Sequence, residues 1–81
     1  MHMCEHDVVV LTRNLPEHGL RAGDVGAVVH VYENGKAYEA EFVTGSGQTL
    51  AVETLEPKDI RPLGDSEILH IRSMTATSTG R

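Results

Sequence analysis

The chain has 81 residues, a net charge of −5 and a hydrophobic fraction of 40%, which leaves room for one domain with a small core. A chain of this size buries only about 60% of its unfolded surface, which argues against an elaborate enclosed active site. The acidic balance repels phosphate backbones over long range and argues against nucleic acid as a partner.

Residues 1–6 read as an unstructured lead-in. The pair His2-Met3 matches what a common cloning site leaves, so Met3 is the expected native start. Asp7 to Thr12 carries the β-branched run Val8-Val9-Val10 before Leu11 and predicts a first strand, apolar on both faces. Arg13 to Asp24 has no periodicity and holds Pro16, Gly19 and Gly23. A loop of about a dozen residues is long, so it is either packed by its own side chains or functional. Leu15 and Leu20 are expected to tuck beneath it.

Val25 to Tyr32 predicts the second strand. Alternation places Val25, Ala27, Val29 and Val31 on one face and Gly26, Val28, His30 and Tyr32 on the other; the first set is the expected core face. Gly26 lets the strand bend sharply. Glu33-Asn34-Gly35-Lys36 is a hairpin signal, because a type I′ turn needs positive φ at both central residues. Ala37 to Val43 predicts the third strand, with Tyr38, Ala40 and Phe42 inward and Glu39 and Glu41 in water. After the Gly45-Ser46-Gly47 turn, Gln48 to Thr54 predicts a fourth, with Leu50 and Val52 inward and Thr49, Ala51 and Glu53 outward.

Leu55 to Ile60 resembles one helical turn, with Pro57 where a first turn tolerates it. Ile60 to Leu63 reads as a brief closing strand beside the first. From Gly64 the composition changes. Ile68, Leu69 and Ile71 are expected to dock on the domain, and Ser73 to Gly80, small and polar, reads as disordered. This order predicts an all-β protein: a small five-stranded SH3-like barrel over residues 7–63, with a flexible C-terminal tail over 64–81. A small up-and-down sheet is the alternative.

Cys4 is the lone cysteine, so no intrachain disulfide is expected and a reducing, cytoplasmic compartment is implied. No apolar run approaches the 18 or so residues of a membrane span, and no stretch reads as a signal peptide. His2, Cys4 and His6 alternate and would share one face of an extended segment, a ligand set suited to zinc or copper. The stretch is terminal, however, and adventitious nickel or copper binding is the plainer reading; no cofactor or resident metal is expected. His18 and His30 stand alone, without a nucleophile or acid motif to make them catalytic. Glu39 and Glu41, with Glu53 across the strand pair, form an acidic stripe that reads as a solvated outer face rather than a glycosidase-like carboxylate pair. With no Trp and three aromatics in all, an aromatic-lined polyproline groove is not expected.

Six blocks in order also carry a resemblance: Asp7 to Leu11, Leu15 to Leu20, Gly23 to Gly26, Val28 to Tyr32, Tyr38 to Phe42 and Thr54 to Pro57. Together they resemble the small bacterial proteins grouped as domain of unknown function 4926, over about Asp7 to Leu63. The resemblance implies a free-standing SH3-like barrel acting on a partner encoded beside it, with an immunity- or antitoxin-like role as one form of that pairing. Gly23 to Val29 is also similar to the short KOW motif of ribosomal and transcription-factor barrels.

The leading expectation is a non-enzymatic protein–protein interaction module. Its contact surface is Leu15, Glu17, His18 and Leu20 of the long loop together with Glu39, Glu41 and Glu53, an apolar anchor ringed by acids that select a basic partner. A KOW-like RNA- or ribosome-associated barrel is the alternative, and needs Arg13, Arg21, Lys36, Lys58 and Arg61 to converge on one face. A small enzyme would need a pocket with convergent titratable groups. The chain is expected to be a monomer or weak homodimer, the latter through an open sheet edge or Ile68 to Ile71.

Overall fold

The β-branched and alternating runs do become strands. The computed structural model describes residues 3–73 and contains β1 (Val8–Leu11), β2 (Val25–Tyr32), β3 (Ala37–Val43), β4 (Thr49–Leu55) and β5 (Ile60–Pro62). Short 3₁₀ turns occupy Pro16–His18 and Pro57–Asp59. The strands form one antiparallel sheet in the order β4-β3-β2-β1-β5. Among the described residues β4 and β5 are its two edges. No helix among these residues is long and apolar enough to cross a membrane.

The core lies on one face. Val9 stands opposite Gly26, Leu11 opposite Ile60, Val28 opposite Ala40, Tyr38 opposite Leu55 and Phe42 opposite Ala51. Directly opposed residues share a face, so these pairs stack into one buried cluster with Leu15, Leu20 and Met3. The inward set expected for β3 is therefore correct. The set expected for β2 is reversed over its first half: Gly26 and Val28 face the core, and the register shifts between Val28 and His30, where Val29 is the extra residue. After that bulge Val31 points inward. Gly26 is inward because only a glycine fits there: a Cβ would lie 2.7 Å from the Phe42 ring and 2.8 Å from the Glu41 carbonyl.

The β4 phase is also reversed. A second register shift between Phe42 and Val43 makes Leu50 the extra residue. Ala51, Glu53 and Leu55 take the core side, and Leu50 and Val52 are 37% and 45% exposed. The β2–β3 reversal has positive φ at Asn34 (60°) and Gly35 (93°), as a type I′ turn needs, but also at Glu33 (41°), and spans four residues between the paired Tyr32 and Ala37.

The long loop is packed by its own side chains. Leu15 and Leu20 pair through two backbone hydrogen bonds, at 2.9 and 3.1 Å. Gly19, in the left-handed region at φ 70°, closes the 3₁₀ turn between them. The lead-in is ordered from Met3, whose side chain is buried, because the Cys4–Asp7 turn and the His6 N–H bond to Val28 O at 2.6 Å tie it to β2. The part of the predicted tail over residues 64–73 follows a defined path without strand pairing. The disorder expected beyond Ser73 lies outside the described residues.

Candidate functional site

The predicted contact surface separates into three places. Leu15 and Leu20 are each 3% exposed and belong to the core beneath the loop, which leaves little of either side chain for the expected anchor role. Glu39 and Glu41 lie on the face opposite the core, where the Thr49 hydroxyl donates to Glu41 Oε2 at 2.6 Å. Glu53 stands opposite Ala40 and so does not join their stripe. It meets the loop instead: His18 Nε2 lies 3.1 Å from Glu53 Oε1. Of the seven predicted residues the structure brings together His18 and Glu53, with the exposed Glu17 beside His18.

His30 Nδ1 is 3.9 Å from Glu5 Oε2, and its ring meets the Tyr32 ring edge-on at 4.4 Å. Cys4 and His6 are not on one extended face, because the backbone turns there: the Asp7 carboxylate accepts from the Cys4 N–H at 2.8 Å and His6 has φ 75°. His2 lies outside the described residues, among which no cluster of three potential metal ligands exists.

A groove at one end of the sheet was not legible as a motif. This groove, of about 510 Å³, runs between the end of the long loop and the β3–β4 turn, with Leu20, Val25, Phe42 and Leu50 as its apolar walls. Residues 69–73 cross it as a strap, and Arg72 pins the strap to Asp24. The Arg72 Nε donates to Asp24 Oδ1 at 2.8 Å, and Nη2 donates to the other carboxylate oxygen and to Gly19 O, the latter at 2.9 Å. The hydrogen bond from Arg72, aided by one from the Arg21 N–H, outweighs burial and holds the Asp24 carboxyl below its usual range.

Two further Arg–carboxylate pairs fix the rest of the chain. Arg13 Nε donates to Asp59 Oδ1 at 2.8 Å. Burial pushes the buried Asp59 carboxyl up, but hydrogen bonds from Arg13 and the Glu56 N–H outweigh it and hold that carboxyl low. Arg61 forks onto Glu67 at 2.7 and 2.6 Å; with the Gly64 N–H it pulls the Glu67 carboxyl down to about 2. Arg13 and Arg61, two of the five bases an RNA-binding face would need, are thus committed to carboxylates.

Fold and site together define a small all-β domain: one antiparallel five-stranded sheet, with an apolar groove at one end that its own chain straps. Residues 5–62 match the family described as Domain of unknown function (DUF4926), and the chain belongs to that family. No curated protein and no solved structure shows significant similarity to it.

Proposed function

We propose that the chain is a non-enzymatic protein–protein interaction module with the architecture of an SH3-like barrel. The strand order, the long loop between β1 and β2, and the 3₁₀ turn between β4 and β5 support the architecture. The groove of about 510 Å³ carries the functional reading: Leu50 and Val43, 37% and 49% exposed, continue its apolar wall to the surface, and exposed contiguous apolar surface is what a protein partner covers. The acids on the opposite face and the net charge favour a basic partner. A partner encoded alongside, in an immunity-like pairing within a bacterial cytoplasm, is the biological form of this reading.

The test is capture from a lysate of the source cells with the full chain as bait, with and without nuclease. Leu50→Asp is the control, because Leu50 is exposed whereas a charge at buried Leu20 would unfold the domain. A protein band that survives nuclease and disappears with Leu50→Asp supports the module. A band lost to nuclease would replace it with the RNA-associated barrel.

A further inference from the structure

Residues 69–73 sit across the groove without filling it. Ile71 is 98% exposed and Leu69 58% exposed, so the strap brings little apolar burial. Among the described residues, the hydrogen bonds that tie residues 69–73 to the sheet and loop come from Arg72. The acceptor it meets is fixed in advance: Asp24 Oδ2 takes the Arg21 N–H at 2.8 Å, and the Asp24 carbonyl takes the Leu11 N–H at 2.9 Å, so carboxylate and loop are locked to β1. The Gly19 carbonyl, oriented by the 3₁₀ turn, adds a third acceptor at 2.9 Å from Nη2. A carboxylate with a carbonyl beside it matches the planar fork of a guanidinium and not the point charge of a lysine.

We propose that Asp24, Gly19 O and the adjoining groove form a docking site for an extended segment of a partner protein that carries an arginine next to an apolar residue, with residues 69–73 of the chain as its internal competitor. The inference rests on the interaction-module reading above. The chain's own strap is a seated example of the charged half of such an occupant, and the net charge of −5 favours a cationic one. The apolar half is little covered: Leu20, Val25, Phe42 and Leu50 line the groove from the sheet side, and Ile71, which borders it from the strap, is 98% exposed and buries almost nothing there. An occupant that buries an apolar side chain there gains what the strap forgoes, and a single partly exposed ion pair is weak enough to exchange.

The full 81-residue chain, unchanged and as Arg72→Ala, is titrated in NMR with a synthetic peptide copying residues 67–73 and with the same peptide carrying citrulline for arginine. Arg72→Ala vacates the acceptor and is expected to bind the arginine peptide about five- to tenfold more tightly, the reciprocal of the fraction of time the strap leaves the site open. Amide shifts should centre on Gly19, Asp24 and Leu50, and citrulline should weaken binding at least about tenfold. Equal affinity of the two chains, or of the two peptides, overturns the proposal. A dimer of the unchanged chain that Arg72→Ala dissolves in sedimentation also overturns it, by giving the seat to a second copy. If lysate capture yields a partner whose affinity Arg72→Ala leaves unchanged, the docking site fails and the module stands. If capture yields none while the peptides behave as expected, the module fails and the guanidinium site stands.

Discussion

Asp59 and Asp24 each close a turn by accepting a backbone N–H three residues upstream, from Glu56 at 3.0 Å and from Arg21 at 2.8 Å, and each takes an arginine Nε on its other oxygen. The resemblance ends with what stands behind the arginine. Arg13 follows β1 directly, and the same turn is tied to β1 by Thr12, whose N–H and hydroxyl bond Asp59 O and Lys58 O at 2.8 and 2.7 Å. Asp59 is itself 4% exposed, between the buried Leu55 and Ile60. Arg72 belongs to a strap with no strand pairing, and its side chain and that of Asp24 are 28% and 18% exposed. One local device therefore serves as a structural pin where packing backs it and as a removable latch where nothing does.

The largest effect should separate the two carboxylates. Asp59→Ala removes a buried carboxylate that caps the 3₁₀ turn and takes the acceptor from the Glu56 N–H and Arg13 Nε, so it should cost about 2 kcal/mol and lower Tm by about 10 °C for a domain of this size. Asp24→Ala should cost no more than about 1 kcal/mol, because its pair is partly exposed. Thermal and urea unfolding of both variants reads the difference directly. Equal losses would mean that the strap is as much part of the fold as β5.

Acidification gives a second, smaller contrast. A carboxyl whose folded pKa lies below its unfolded value contributes stability that is fully present above the unfolded value and is lost as pH falls through the folded one. Asp24, Asp59 and Glu67 are all lowered, so stability should fall on acidification and not on raising the pH above neutrality. For Glu67 the window runs from 4.5 down to about 2. Urea midpoints measured from pH 6 to pH 2 should decline, and Glu67→Gln should remove part of the slope in that window. An unchanged slope in the variant would mean that the Arg61–Glu67 fork does not persist in solution.

The elements were legible and their phases were not. Every expected strand exists within a residue or two, because β-branched runs and turn residues act locally. β2 contains a bulge at Val29 that inverts the side-chain alternation, and a bulge leaves no mark in a two-residue periodicity; in β4 the alternation is regular from Leu50 to Leu55, but the core side takes Ala51 and Glu53 while the more apolar Leu50 and Val52 face out. At Gly26 the glycine faces inward because Phe42 fills its space, a contact between strands. Leu15 and Leu20 were rightly expected beneath the loop, and that placement buries them too deeply to anchor a partner. The turn at Pro57–Asp59 had its signal in Pro57, but the reciprocal Glu56–Asp59 cap that closes it does not follow the usual Ser/Thr-x-x-Glu/Gln pattern. The Asp24–Arg72 pair joins residues 48 apart, and nothing local at either end announces the other.

The smallest effect on stability should fall on Arg72. Arg72→Ala touches no core side chain, so Tm should move by no more than the equivalent of about 0.5 kcal/mol. The strap should respond nonetheless, since its ordering rests on that guanidinium. Amide hydrogen exchange over residues 67–73 should accelerate while β2 and β3 keep their protection, and chymotrypsin should cut after Leu69 faster in the variant. Arg72→Lys sharpens the point: it keeps the charge but cannot make the forked contact with Asp24. If exchange in the lysine variant follows the alanine variant, the geometry of the fork holds the strap. If it follows the unchanged chain, charge alone is sufficient, and Asp24 would accept any cation that the groove admits.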